Sequence, residues 1–166
     1  MKIAFETLAE NSKIWVYQAN RNLKNEETEI ISQKLATFFA NWDSHGTALD
    51  GASKILFNRF IIIGVNSEVH APSGCSIDKS VAIIKEIEAA LRIVLLDKSE
   101  IAFWQNKAIQ TVKLQAVKSA VSEEKIKAET LIFNNTITTK KELDTNWQIQ
   151  ANASWLKRHF KIVVSV

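Results

Sequence analysis

A single cysteine stands in Pro72-Ser73-Gly74-Cys75-Ser76-Ile77-Asp78-Lys79-Ser80, where a loop gives way to a helical pattern. A thiol at or just before a helix N-terminus lies among unpaired backbone N–H groups and at the positive end of the helix dipole. Both favour the thiolate. The same N–H groups, with Gly74 permitting close approach, suit a phosphate or carboxylate. On that reading Gly74, Ser76, Asp78 and Lys79 hold an anion or small ligand, with Arg59 as a further cation.

His45, in Trp42-Asp43-Ser44-His45-Gly46, supplies an imidazole, and His70 in the loop before Cys75 supplies a second. A thiol beside a histidine is the minimum for nucleophilic catalysis or redox sensing, so Cys75 with His45 as base or electrostatic partner is the expected catalytic pair. Each residue also has a plainer use. Cysteine packs as a small hydrophobe, histidine suits a helix C-terminus, and Ser76 and Asp78 cap a helix. His45, His70 and an acid show no metal-ligand spacing, so no metal and no cofactor are expected.

These residues must be positioned by elements that the pattern defines. Lys13–Ala19 is rich in β-branched and aromatic residues and reads as a strand. A helix follows from Asn25, with Ile31, Leu35, Phe38 and Trp42 on one stripe, Glu26, Glu27 and Glu29 near its start, and His45 and Gly46 at its end. Ala52–Phe57 and Arg59–Asn66 read as a strand pair, the second carrying the unbroken apolar run Phe60–Val65 of a strand buried on both faces. A second helix starts near Ser76 to Asp78, with Ile77, Val81, Ile84, Ile87 and Leu91 on one side. A hairpin over 100–114 completes the order βαββαβ, the split pattern of a ferredoxin-like sandwich over residues 13–114. In that topology the first helix ends where the second begins, which brings His45 to the end of the molecule that holds Cys75. Residues 115–166 add a short helix, a strand at Thr130–Phe133, a helical turn at Thr139–Leu143 and an aromatic tail, read as an extension packed on that core within one α+β domain.

Composition narrows the function classes. With 166 residues, 46% apolar and 23% charged, the chain can bury a core, and one proline and four glycines leave little room for disorder. A net charge of +3, spread among interleaved acids and bases, argues against nucleic acid. The denser cluster Lys157, Arg158, His159 and Lys161 is the one place suited to an anionic partner. Strand aromatics Trp15, Tyr17, Phe60, Phe103 and Trp104 would stack single-stranded RNA only if exposed, and none lies in an RNP-type motif. One cysteine excludes an intramolecular disulfide and fits a reducing compartment. No run approaches the ~20 apolar residues of a membrane helix, and the N-terminus lacks a signal-peptide pattern, so a cytoplasmic protein is expected.

The segments Trp15–Arg21, Trp42–Gly46, Asn58–Ile62, Gly74–Val81 and Phe133–Asn135 resemble an uncharacterised family of small bacterial proteins, over a stretch from about Lys13 to Phe160. Members of that family are often labelled "ABC transporter ATPase". The chain contains no G-x-x-x-x-G-K-[ST], so the resemblance brings no P-loop activity, cofactor or catalytic residue with it. The expectation is therefore a non-enzymatic binding or regulatory module of the bacterial cytoplasm, homodimeric through a sheet face. A thiol-dependent enzyme at Cys75 and an anion site at Gly74–Asp78 are the alternatives.

Overall fold

The computed structural model describes residues 1–68 and 70–160 of the chain, in two compact units. The first is Met1–Asp97 with Thr136–Glu142; the second is Lys98–Asn135 with Leu143–Val166. Lys161 of the basic cluster and the tail Ile162–Val166 lie outside the described residues.

The first unit runs β1 (Lys13–Gln18), α1 (Asn25–Ala40), β2 (Asp43–Ser44), β3 (Thr47–Ala48), β4 (Gly51–Leu56), β5 (Phe60–Val65) and α2 (Gly74–Leu91). Strands β1, β5 and β4 form an antiparallel sheet in that order. All six residues of β5 are buried, as its unbroken apolar run requires. Ile61, Ile63 and Val65 pack with Ile31, Leu35 and Phe39 of α1 and with Ile84 and Ile87 of α2. The opposite face meets the N-terminal segment. A Cβ on Gly64 would lie 2.5 Å from Leu8 Cδ1 and 3.6 Å from Phe5 Cε2, so glycine is what lets that segment close onto the sheet.

The core stripe of α1 is Ile31, Leu35 and Phe39, joined by Trp42 just past its end, with Phe38 only half-buried. Phe39 replaces the expected Phe38 because β4 opens a place for it. A Cβ on Gly51 would fall 2.4 Å from Phe39 Cδ1, so the ring occupies the space that a side chain would take. The helix starts on Glu27, whose carboxylate accepts the Lys24 N–H at 2.9 Å and both Arg21 Nη groups at 2.8 Å. Arg21 Nη2 also donates to the Leu91 carbonyl at the end of α2 (3.1 Å). At the other end the indole of Trp42 donates to the Ser76 carbonyl (2.9 Å), so α1 and α2 run antiparallel.

The ferredoxin-like order expected from the sequence is not completed. Its first three strands are present as β1-β5-β4, but the fourth, β6 (Glu100–Gln105), pairs with β7 (Ala108–Lys113) and β8 (Leu131–Phe133) in a separate sheet. The outer edge of β1 is met instead by the returning segment 136–142, through Ile14 N–H to Thr138 O (2.9 Å) and Lys140 N–H to Ser12 O (3.0 Å). The unit boundary consequently falls at Asp97, ahead of the hairpin that the sequence reading placed in the core.

In the second unit α3 (Val117–Ser122) follows the β6–β7 hairpin, whose turn residues Asn106 and Lys107 both have positive φ, 51° and 64°. Helix α4 (Lys140–Thr145) begins in the returning segment, and β9 (Gln148–Gln150) completes the sheet order β7-β6-β8-β9. Ile101, Phe103, Val117, Ile126, Ile132 and Leu156 form its core. The chain is thus an α+β protein with antiparallel sheets, and no helix among the described residues is long and apolar enough to cross a membrane.

Candidate functional site

Helix α2 begins at Gly74, two residues ahead of the expected start, because Ser73 is its N-cap: the Ser73 hydroxyl accepts the Ser76 N–H at 3.2 Å. Cys75 therefore sits inside the first turn, and it is exposed. Ser76 is fully buried, its hydroxyl donating to the Ser73 carbonyl (2.7 Å). Gly74 and Asp78 are exposed, and a Cβ added to Gly74 meets nothing within 4 Å. Lys79 is held by Asp43, Nζ to Oδ1 at 2.9 Å. That ion pair and the Gly46 N–H, which donates to Asp43 Oδ2, keep the Asp43 carboxyl below the usual carboxylate range.

His45 is not in the last turn of a helix. Helix α1 ends at Ala40, and His45 and Gly46, with φ of 52° and 82°, form the two-residue turn of the small β2–β3 hairpin. The Trp42–Ser76 and Asp43–Lys79 contacts set this hairpin beside the first turns of α2. The two predicted segments thus share one end of the first unit. Among the described residues no hydrogen bond joins the exposed His45 to Cys75. His70 is half-buried in the loop, and no three or more His, Cys, Asp or Glu among the described residues gather as a metal site requires.

Arg59 is at the wrong end for the anion reading. It precedes β5, is 7% exposed, and donates from Nε to the Ala19 carbonyl (2.8 Å) and from Nη1 to Asn22 Oδ1 (3.3 Å). Those residues flank Arg21, which contacts the C-terminal end of α2. The N-terminus of that 18-residue helix is about 27 Å away at 1.5 Å per residue. Nor do the strand aromatics make a stacking platform: Tyr17, Phe60 and Phe103 are buried. In the basic cluster, Arg158 lies over the exposed ring of Trp155 at 5.8 Å.

What the sequence reading missed is a groove between the two long helices. Ile30, Gln33, Lys34, Thr37 and Phe38 of α1, with Asn41 just past its end, face Lys79, Ala82, Ile83 and Glu86 of α2 across an open cleft of about 880 Å³. Its apolar lining has a sequence signature. Three apolar doublets, Ile30-Ile31, Phe38-Phe39 and Ile83-Ile84, lie on these helices. Neighbours on a helix point about 100° apart, so the two members of a pair cannot both point to the centre of the core. In every case the second member is fully buried and the first lines the groove.

The structure defines an α+β protein with a two-helix cleft on its first unit. Compared with known proteins, the chain matches no family model, no curated protein and no solved structure.

Proposed function

We propose that the chain is a non-enzymatic binding module whose α1–α2 groove takes an amphipathic helix of a protein partner. The carrying observation is the set of apolar residues Ile30, Phe38 and Ile83 displayed beside, and not within, the core. Along α1 the lining runs from Ile30 to Asn41, about 17 Å or three helical turns, which suits an occupant with apolar residues at i, i+3 or i+4, and i+7. Lys34 and Glu86 on opposite walls give the cleft charges of both signs to fix the occupant's direction. The resemblance to the small bacterial family adds no activity to this reading.

The test is selection of a displayed random-peptide library on the folded chain, repeated on Ile83→Asp, which changes the groove and leaves Ile84 in the core. Enriched sequences are expected to carry helical apolar spacing and to bind the variant at least about tenfold more weakly, the loss of one hot-spot contact. Peptides that bind both proteins equally overturn the reading. A concentration-dependent dimer abolished by the same substitution replaces it with a second copy in the groove.

A further inference from the structure

Strand β4 is the outer strand of the first unit's sheet, and its open edge is only partly used. Gly51 exchanges bonds with the N-terminal segment: its N–H donates to Met1 O and its carbonyl accepts Ile3 N–H, both at 2.9 Å. That segment then turns away at Phe5–Thr7. Backbone groups alternate in direction along a strand, so Ser53 and Ile55 point outward like Gly51. Among the described residues nothing bonds the outward N–H and C=O groups of either. Lysine on an edge strand normally guards it. Here the Lys54 ammonium lies on the N-terminal face, 3.3 Å from Glu6 Oε1 and 5.8 Å from the Phe5 ring centroid. On the helix side a polar hollow of about 260 Å³ flanks the same edge, lined by Thr28, Ser32, Ser53, Lys54, Ile55 and Asn58. The hydroxyls of Ser32 and Ser53 and the side-chain amide of Asn58 hold no bond among the described residues.

We infer that this edge binds a short extended segment of another protein by strand addition, continuing the ladder that Met1–Ile3 begins at Gly51. Backbone pairing at Ser53 and Ile55 supplies up to four hydrogen bonds, and alternate side chains supply selectivity. A residue opposite Lys54 shares its face and is acidic. The residues on either side face the hollow and are small hydrogen-bonding types, Ser, Thr or Asn. A second copy of this chain fits worse, because two-fold pairing of Ser53 with Ile55 sets Lys54 directly against Lys54. The site lies on the opposite flank of α1 from the groove, so the two readings stand or fall separately.

The probes are capped heptapeptides centred on Thr-Glu-Thr and on Thr-Lys-Thr, titrated into the isotopically labelled full chain and read by amide chemical shifts and hydrogen exchange. The Glu peptide is expected to move and protect the Ser53 and Ile55 amides, and the Lys peptide to bind at least about tenfold more weakly. Lys54→Glu reverses that order. Ser53→Pro removes an outward N–H that the β4–β5 ladder does not use, so binding falls while circular dichroism is unchanged. If that variant does not fold, the shift map and Lys54→Glu decide. The inference is overturned by no response at these amides, by responses confined to the groove, by an unchanged preference in Lys54→Glu, or by protection of the edge in a peptide-free dimer.

Discussion

Replacing Glu27 by Gln tests whether the clamp at the start of α1 is electrostatic. The carboxylate takes two 2.8 Å bonds from Arg21 and one 2.9 Å bond from the Lys24 N–H. Arg21, then the Lys24 N–H, lower its pKa from 4.5 to about 2. At about 1.4 kcal/mol per pKa unit the full difference is about 3 kcal/mol. Arg21 is 39% exposed against 11% for Glu27, so solvent screening brings the working figure to about 2 kcal/mol. The pKa is lower folded than unfolded, so the contribution is complete above about pH 5 and is lost as pH falls towards 2. Glutamine keeps an acceptor for Lys24 and removes only the charge. Urea unfolding followed by the far-UV signal of α1 and α2 should show Glu27→Gln less stable by about 2 kcal/mol at neutral pH, with more than half of that gap closed near pH 3. A gap of equal size at both pH values, or none at neutral pH, refutes the reasoning.

Phe39→Ala should cost about 3–5 kcal/mol and Phe38→Ala on the order of 1, since only the first empties the core; equal urea midpoints would contradict the doublet rule. Gly64→Ala forces a Cβ to within 2.5 Å of Leu8 Cδ1, and thermal unfolding should report a loss of about 1–3 kcal/mol. Cys75 is exposed, so iodoacetamide should label the folded chain stoichiometrically without denaturant. His45→Ala should leave the labelling rate unchanged, and a slower rate would support the thiol reading.

The parts of the fold legible in the sequence are those written in local pattern. The Phe60–Val65 run marks a strand buried on both faces, and Gln105-Asn106-Lys107 between two strand patterns marks a hairpin. Two of the misplacements depend on something distant. Phe39 enters the core in place of Phe38 because Gly51, on another strand, has no side chain, and helical spacing alone cannot choose between neighbours. Trp42 packs in the same core, so the pattern carried α1 too far, past its cap at Asn41. The fourth ferredoxin-like strand was misassigned because β6 reads the same in either sheet; its partner Ile132 is 29 positions from Phe103, beyond any periodicity argument. For the candidate site, the expected topology placed His45 at the end of the molecule that holds Cys75, and the Trp42–Ser76 and Asp43–Lys79 contacts join those two segments. The groove was not legible, because a doublet such as Phe38-Phe39 shows that one member turns from the core but not which one, and the expected stripe put Phe38, a groove residue, in the core.

The segment 136–142 has a consequence for biosynthesis. Lys140 donates from Nζ to the carbonyls of Glu6 (2.9 Å) and Leu8 (2.6 Å), and Lys141 N–H to Glu10 O (2.9 Å). An emerging chain cannot make these bonds until residues that follow Asp97 by some 45 positions have been added, about 2–9 s at ordinary translation rates. During that interval the β1 margin and the N-terminal carbonyls face water or whatever chaperone is at hand, while α1, α2 and β5 are already available to collapse. The last step in building the first unit is therefore the arrival of a distant strap, and premature termination anywhere between Asp97 and Thr136 leaves a nascent product that is folded in outline but unsealed along one side.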